Sequence, residues 1–317
     1  MSLGAVMSSL HFAADPSLTV TTVSSSKGAC RSPACKLKRE RTRSYLRSLQ
    51  AVHLQYEVLG NFSKWQGWRW MSNIYEEHAA ASSKNDPEHL LIAMDSSDCV
   101  VQAANAAAII AAYRQIVAES PGHPPLVMAL ETGCHEGRCT SIPSTFNLAV
   151  PGNSHVNGGF VMGPARSMQT MWNAVRTTNV SCCHKGHMDP QLGMGVYALR
   201  NPSLVAFDTH QRLAAIINLN DPAEWASHYT AVDGVVTNRH TGIRPAFLHF
   251  PGQQFPETWR IYREQVLLPR GLISPTFGVK VGRSATAANE RRGTSRRDSK
   301  RSGAVKLTKA RAMPKIM

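Results

Sequence analysis

Short apolar or β-branched runs alternate with longer amphipathic segments along the first part of the chain. The pattern predicts strands over 18–23, 55–59, 90–94, 126–130 and 160–163, and helices over 36–50, 71–82, 103–118 and 168–175. Strands that alternate with helices at this spacing are typical of an α/β domain with a mainly parallel sheet. The sequence therefore predicts a Rossmann-like central sheet flanked by helices.

The hydrophobic pattern fades from about residue 273, which marks a predicted boundary. We expect a flexible N-terminus over 1–16, a folded domain over 17–272 and a disordered basic tail over 273–317. The net charge of the chain is +14, and residues 283–317 contribute eleven Lys or Arg against two acidic residues, which leaves +5 for the rest. Residues 283–317 also lack aromatic side chains, so they cannot bury enough apolar surface to order themselves.

The location of this charge bears on the possible partners. A nucleic-acid-binding protein is the alternative that a basic tail suggests. However, the folded part carries little net charge and contains no recognised nucleic-acid-binding motif. We therefore do not expect nucleic acid as the main partner, and the tail is expected to contact acidic surfaces. No apolar run reaches the roughly 18–20 residues of a membrane span, and the N-terminus lacks the pattern of a secretory signal.

Two carboxylates follow the third predicted strand directly, in the segment Asp95-Ser-Ser-Asp98. Ligands of such sheets bind at the carboxyl ends of the strands. Two carboxylates this close repel each other unless a cation lies between them, and Mg²⁺ or Mn²⁺ can bridge carboxylates to a substrate diphosphate. The same residues could instead close a turn or cap the helix predicted to begin near Ala103.

Further segments occur in a fixed order around this pair. They are Thr22-Val-Ser-Ser25, Tyr45-Leu-Arg-Ser48, Val58-Leu-Gly60, Trp65-Gln-Gly67, Met94-Asp-Ser-Ser-Asp98, Glu131-Thr-Gly-Cys134, His155-Val-Asn-Gly-Gly-Phe-Val-Met-Gly163, Asp189-Pro-Gln-Leu192, Leu204-Val-Ala-Phe-Asp208, Ile216-Ile-Asn-Leu219 and Phe247-Leu-His-Phe-Pro-Gly252. Together they resemble the glycosyltransferase domain of the lysyl hydroxylase (procollagen-lysine dioxygenase) family and its viral and protist relatives. The resemblance extends from about residue 17 to 255.

This resemblance implies a GT-A fold and an enzyme that transfers a hexose from UDP-glucose or UDP-galactose to a hydroxyl acceptor. The acceptor would be a protein or glycan, with hydroxylysine-linked groups as the family's example, and the family suggests the ER, the Golgi or the cytoplasm. The implied metal is Mn²⁺, with Mg²⁺ as the alternative, because imidazole suits Mn²⁺ better. Its implied ligands are Asp95, Asp98 and His249.

Other site residues are implied in the same way. The resemblance places Val23, Ser24, Ser25, Arg69, Ser97 and Gly252 at the nucleotide, and Asn157 and Asp189 at the sugar or acceptor. From the residues alone, 157–159 could be an ordinary turn, Asp189 could cap a helix that begins at Pro190, and His249 could be a core histidine.

The chain departs from the family at several of these positions. Arg69 stands in for a phosphate-binding Lys at the end of a Gly-rich segment, and Ser97 replaces an aromatic residue that packs on uracil. Pro190 replaces the second residue of an acidic pair, and Phe255 falls where a later Lys contacts phosphate. These differences weaken the case for uridine, and they leave open a GT-A protein that binds a nucleotide sugar with impaired catalysis.

Overall fold

The computed structural model describes most of the chain between residues 17 and 277. The described residues are 17–24, 33–60, 66–132, 148–178, 181–182, 187–188, 190–217, 222–251, 256–275 and 277. The predicted N-terminal segment 1–16 and the basic residues 283–317 lie outside them. So do three predicted site residues, Ser25, Asp189 and Gly252.

The described part contains short strands and seven α-helices. The strands are β1 (Leu18–Val23), β2 (Gln55–Leu59), β3 (Leu90–Met94), β4 (Cys99–Val101), β5 (Leu126–Glu131), β6 (His155–Pro164), β7 (Ser181–Cys182), β8 (His187–Met188), β9 (Val205–Phe207), β10 (Ala214–Ile216), β11 (Tyr229–Val232), β12 (Val235–Asn238) and β13 (Phe247–His249). The helices are α1 (Pro33–Ala51), α2 (Trp68–Asn85), α3 (Ala106–Glu119), α4 (Ala165–Thr177), α5 (Pro190–Arg200), α6 (Pro222–His228) and α7 (Pro256–Ile261), and α7 continues as a π-helical turn (Tyr262–Leu267). None of the described helices is both long enough and apolar enough to cross a bilayer.

The central sheet has six strands in the order β2-β1-β3-β6-β5-β9. Strand β6 runs antiparallel to its neighbours β3 and β5, and the other pairs are parallel. Strands β3 and β5 are buried at every position, as expected for strands covered on both faces. The predicted mainly parallel sheet flanked by helices is confirmed.

Alternate residues of β3 divide the core into two layers. Leu90, Ile92 and Met94 pack with α1 and α3, whereas Leu91 and Ala93 pack with α2, α4 and α5. This alternation follows from the two-residue period of a strand. The helices therefore cover both faces of the sheet and leave its carboxyl edge to the loops.

A second, three-stranded sheet lies beside this edge, in the order β10-β13-β4. Strand β4 begins directly after Asp98, and its Cys99 pairs with His249 on β13. The sequence pattern did not predict β4, because its three residues merge with the Ala-rich stretch that leads into α3. The pairing brings the two carboxylates close to a histidine that is about 150 residues away in the chain.

Two local alternatives are wrong. Helix α3 begins at Ala106 rather than near Ala103, and its N-cap is Asn105, whose side chain accepts a hydrogen bond from the Ala108 amide (2.9 Å). Asp95 and Asp98 therefore do not cap that helix. Residues 157–159, which we expected in a loop or turn, lie within strand β6.

Candidate metal centre

Residues 95–98 are held in place from three directions. The Asp95 amide donates to the Gly159 carbonyl on β6 (3.1 Å), and the Phe250 amide after β13 donates to the Asp98 carbonyl (2.7 Å). The Ser96 hydroxyl donates to the carbonyl of Val23 at the end of β1 (3.4 Å). The backbone of this turn is thus fixed between both sheets, at the carboxyl edge where ligands of such sheets bind.

Two carboxylates and an imidazole converge at this turn. His249 Nε2 lies 3.5 Å from Asp95 Oδ2 and 3.6 Å from Asp98 Oδ1. Both distances exceed the roughly 2.7–3.2 Å of a normal N–H···O hydrogen bond. The His249 side chain is only 3% exposed, whereas the Asp95 side chain is 44% exposed. The cluster is therefore closed to solvent on the histidine side and open on the Asp95 side.

Neither ring nitrogen of His249 makes a hydrogen bond of normal length among the described residues, and Nε2 faces the two carboxylates at 3.5 and 3.6 Å. A buried polar group left unsatisfied costs about 1–3 kcal/mol, so such a group calls for an ion or water next to it. Burial lowers the pKa of His249, but the Asp98 and Asp95 carboxylates outweigh this and raise it to about 9. Partial burial and the Asp98 carboxylate raise the pKa of Asp95 to about 6. The carboxylate pair thus attracts positive charge to this cluster.

The spacing of the three groups fits a small divalent cation. With metal–ligand bonds of about 2.1 Å, neighbouring ligand atoms are about 3.0 Å apart in octahedral and about 3.4 Å apart in tetrahedral geometry. The two distances from His249 Nε2, 3.5 and 3.6 Å, need only a slight contraction. The group whose ligand atoms all lie within 4.8 Å of one another is Asp98, Cys99 and His249, so Asp95 would have to move inwards to join a divalent ion held by Asp98 and His249. Such an ion would also satisfy His249 Nε2.

A glycine on β6 makes room for this arrangement. A Cβ atom added at Gly159 would lie 2.8 Å from His249 Nδ1 and 2.9 Å from Asp95 Oδ2, and it would also collide with His249 Cε1. No side chain fits there without moving a candidate ligand. Gly159 belongs to the site because of this close approach.

A buried polar group lies next to Gly159. Asn157 Oδ1 accepts a hydrogen bond from the Gly159 amide (2.8 Å), and Asn157 Nδ2 donates to Glu131 Oε2 (3.2 Å). The other Glu131 oxygen accepts from Gln191 on α5. Glu131 and Asn157 are each only 3% exposed, and the charge of Glu131 also raises the pKa of His249. Asn157 therefore positions the backbone that lines the metal centre.

Glu131 and Gln191 were not among the predicted site residues. Glu131 could have been found from the sequence, because it is a carboxylate at the end of a buried strand, on the same edge of the sheet as Asp95. Gln191 is recognisable only once α5 is placed, because the backbone and Cβ of Gln191 pack against Gly158. Both residues act through Asn157 and the β6 backbone.

The predicted nucleotide residues that the structure describes lie in different surroundings. Val23 and Ser24 are at the end of β1, where the Ser24 amide donates to the Leu59 carbonyl (3.1 Å). Ser97 is half-buried in the turn between the two carboxylates, and Arg69 is exposed in the first turn of α2. Val23, Ser24 and Ser97 thus lie at the carboxyl edge of the sheet, and the nucleotide contacts of all four residues stay predictions.

Cys99 also lies near the carboxylates. Ligand atoms of Asp98, Cys99 and His249 all lie within 4.8 Å of one another. The Cys99 side chain is fully buried within the core layer of α1 and α3. Burial and the Asp98 and Asp95 carboxylates raise the pKa of this thiol well above its usual range. The thiolate is the form that binds metals, so the carboxylates and imidazole are the better ligand set.

No family model and no curated protein sequence matches the chain. Among solved structures, one match is a glycosyltransferase involved in the glycosylation of the major capsid of PBCV-1. The identity is 11%, the match covers 78% of this chain and 100% of that chain, and the TM-score is 0.43. A likeness at this level assigns no role to any residue, so the function must be inferred from the site itself.

Proposed function

We propose that the protein is a metal-dependent glycosyltransferase that transfers a hexose from a nucleotide sugar to a hydroxyl acceptor. The observation that carries this proposal is the convergence of Asp95, Asp98 and the hydrogen-bond-deficient His249 at the carboxyl edge of the sheet. Such a centre, with one side open, suits a cation that holds a substrate oxygen as well as protein ligands.

Mn²⁺ is the proposed metal, with Mg²⁺ as the alternative, because imidazole is a poorer ligand for Mg²⁺. The cation would neutralise the charge that builds up on the departing nucleoside diphosphate. Asp95, Asp98 and His249 would hold it, and Asn157, through the Gly159 amide, would keep the facing strand in place. The buried His249 side would exclude water, and the exposed Asp95 side would receive the substrate.

The donor and acceptor are proposed from the sequence resemblance. UDP-glucose and UDP-galactose are the proposed donors, with Val23, Ser24, Ser25, Ser97, Arg69 and Gly252 as nucleotide contacts. Asn157 and Asp189 would address the sugar or the acceptor hydroxyl, with Asp189 as the carboxylate able to accept its proton. A protein or glycan hydroxyl, such as a hydroxylysine-linked group, is the proposed acceptor.

A donor screen tests this proposal. The full chain is incubated with UDP-glucose, UDP-galactose and other nucleotide sugars in the presence of Mn²⁺, Mg²⁺ or a chelator, and released nucleoside diphosphate is measured. We expect release from at least one donor with Mn²⁺, loss of release with the chelator and recovery when Mn²⁺ is added back. Release that persists in chelator would contradict the role of the metal, and no release from any donor would contradict the enzyme itself.

Replacing Cys99 by alanine tests which atoms bind the metal. We expect the Kd for Mn²⁺, measured by the loss of the free-ion EPR signal, to change by less than about threefold, because hard cations prefer oxygen and imidazole ligands. The matched variant His249→Ala should lose Mn²⁺ binding. A loss in Cys99→Ala as large as that in His249→Ala would instead identify a thiolate site for a softer metal such as Zn²⁺.

A further inference from the structure

One face of α1 runs alongside the segment that carries the two carboxylates. Lys38, Arg41, Tyr45 and Ser48 follow one another at intervals of three, four and three residues, so they share this face. The Ser48 hydroxyl accepts a hydrogen bond from the Val101 amide at the end of β4 (3.0 Å). Tyr45 and Ser48 are fully buried.

The register of this face directs its cations towards the turn that carries the two carboxylates. Arg41 lies seven residues before Ser48, a distance of about 10 Å along the helix. Strand β4 has a similar length, so Arg41 lies near the turn that precedes β4. Burial lowers the pKa of Arg41 to about 10, and the nearby Asp98 carboxylate partly offsets this by raising it. The Lys38 ammonium in turn opposes the rise in the pKa of Asp95. At neutral pH, Arg41 is therefore a charged group on the Asp98 side of this turn.

Arg41 is held in position by an element from the other end of the chain. Its guanidinium carbon lies 4.2 Å from the centre of the Trp259 ring on α7, which is a cation–π contact. The π-helical turn after α7 is attached to β4, because the Tyr262 hydroxyl donates to the Cys99 carbonyl (2.8 Å). Arg41 is thus half-buried and preorganised, while Lys38 is exposed on the same face.

We propose that Lys38 and Arg41 form the phosphate-binding side of this centre and recognise the diphosphate of a nucleoside diphosphate sugar. A divalent cation only balances the two carboxylates, so a bound diphosphate needs further positive charge, and guanidinium and ammonium groups supply it. This inference rests on the proposed function for the identity of the sugar donor. Recognition of the diphosphate can nevertheless be measured without sugar transfer.

Calorimetric titration of inorganic pyrophosphate into the full chain, saturated with Mn²⁺, tests the inference. We expect Arg41→Gln to raise the Kd for pyrophosphate about tenfold or more and Lys38→Gln to raise it about threefold, because hydrogen bonds and contacts between charged groups are lost. Arg41→Lys, which keeps the charge but loses the fork of donors, should lie between wild type and Arg41→Gln. The same order is expected for UDP.

Arg39→Gln is the matched control. Arg39 is an exposed residue of the same helix, adjacent to Lys38 but turned by about 100° around the axis. This variant removes the same charge from α1, and we expect its Kd for pyrophosphate to stay within about twofold of wild type. An equal loss in Arg39→Gln would mean that only the net charge of α1 matters, and it would overturn the assignment to one face.

The alternative role for Arg41 is to neutralise the negative charge of the carboxylates when no phosphate is bound. In that case Arg41→Gln would strengthen the binding of Mn²⁺ alone and leave the Kd for pyrophosphate unchanged, which would overturn the inference. Absence of Mn²⁺-dependent pyrophosphate binding by the wild type would also overturn it. If Arg41→Gln does not fold, as judged by circular dichroism, Arg41→Lys and Lys38→Gln decide instead, because they retain the cation at Trp259.

The inference and the proposed function can fail separately. A wild type that binds pyrophosphate through Lys38 and Arg41 but turns over no nucleotide sugar would leave the inference standing and contradict the proposed function. A wild type that transfers sugar with Mn²⁺ while both variants bind pyrophosphate normally would contradict the inference alone.

Discussion

Replacement of Asp98 by asparagine is expected to reduce Mn²⁺-dependent release of nucleoside diphosphate about a hundredfold or more. Asparagine preserves the size of the side chain but removes the charge that attracts the cation beside His249, 3.6 Å away. A hundredfold fall in rate corresponds to a loss of about 2.7 kcal/mol of transition-state stabilisation, which is the size of effect expected when the metal is lost. The backbone of residue 98 is fixed through the Phe250 amide and is not altered by the substitution.

Thermal unfolding with and without Mn²⁺ separates loss of metal binding from loss of the fold. A ligand present at about 100 times its Kd stabilises a protein by about 2.7 kcal/mol, which corresponds to a rise in Tm of roughly 5 °C or more for a domain of this size. We expect Asp98→Asn to lose this rise, so that its Tm is the same with Mn²⁺ and with chelator. Asp233→Asn, the same change in the exposed turn between β11 and β12, should retain both the rise and the turnover. Equal turnover by Asp98→Asn and wild type would contradict the metal site.

The sheet strands β3 and β5 could be predicted from the sequence because each is a short apolar run. Strands β1 and β2 could be predicted because a short β-branched or alternating segment ends at Ser24 and at Gly60, respectively. The position of the Asp95–Asp98 pair followed from the same pattern, since a strand that is buried throughout ends in a carboxylate at the edge where ligands bind. Periodicity alone could not distinguish a metal-binding turn from a helix cap, and the N-cap Asn105 excludes only the helix cap.

The remaining parts of the site depend on contacts between distant segments. His249 has the signature of a core histidine in the sequence, and only the pairing of β13 with β4 places it beside Asp98. Glu131 and Asn157 meet because β5 and β6 are neighbours, which local sequence does not encode. The sequence predicts a helix over 36–50 but not the direction of its cations, because that direction depends on how α1 packs against β4.

From the sequence alone, Gly159 could belong to an ordinary turn at residues 157–159. The structure places it in the middle of β6, where its lack of a side chain, rather than an unusual backbone angle, is what the site requires. Sequence reasoning could not reach this conclusion, because the atoms that exclude a Cβ belong to Asp95 and His249 on two other elements.

Replacing Gly159 by alanine is therefore expected to weaken metal binding and turnover strongly, although Asp95, Asp98 and His249 are all still present. The added methyl group would lie 2.9 Å from Asp95 Oδ2 and would also overlap the His249 ring, so at least one of these side chains must move. A displacement of about 1 Å at a reacting centre can cost about a hundredfold in rate. We expect turnover to fall by about this factor and the Kd for Mn²⁺, measured by EPR, to rise at least about tenfold.

Gly163→Ala is the control that separates displacement of the ligands from general crowding. Gly163 lies on the same strand, and a Cβ there would lie 2.7 Å from the Pro125 carbonyl and from Leu126 Cδ2, so its substitution introduces a comparable steric conflict away from the carboxylates. Overpacking of this kind costs about 1–3 kcal/mol of stability, and a fall in Tm in both variants is expected. Only Gly159→Ala should lose Mn²⁺ binding, because only its methyl group contacts the ligands. If Gly163→Ala loses Mn²⁺ binding to the same degree, the effect comes from distortion of β6 as a whole, and Gly159 has no special relation to the metal centre.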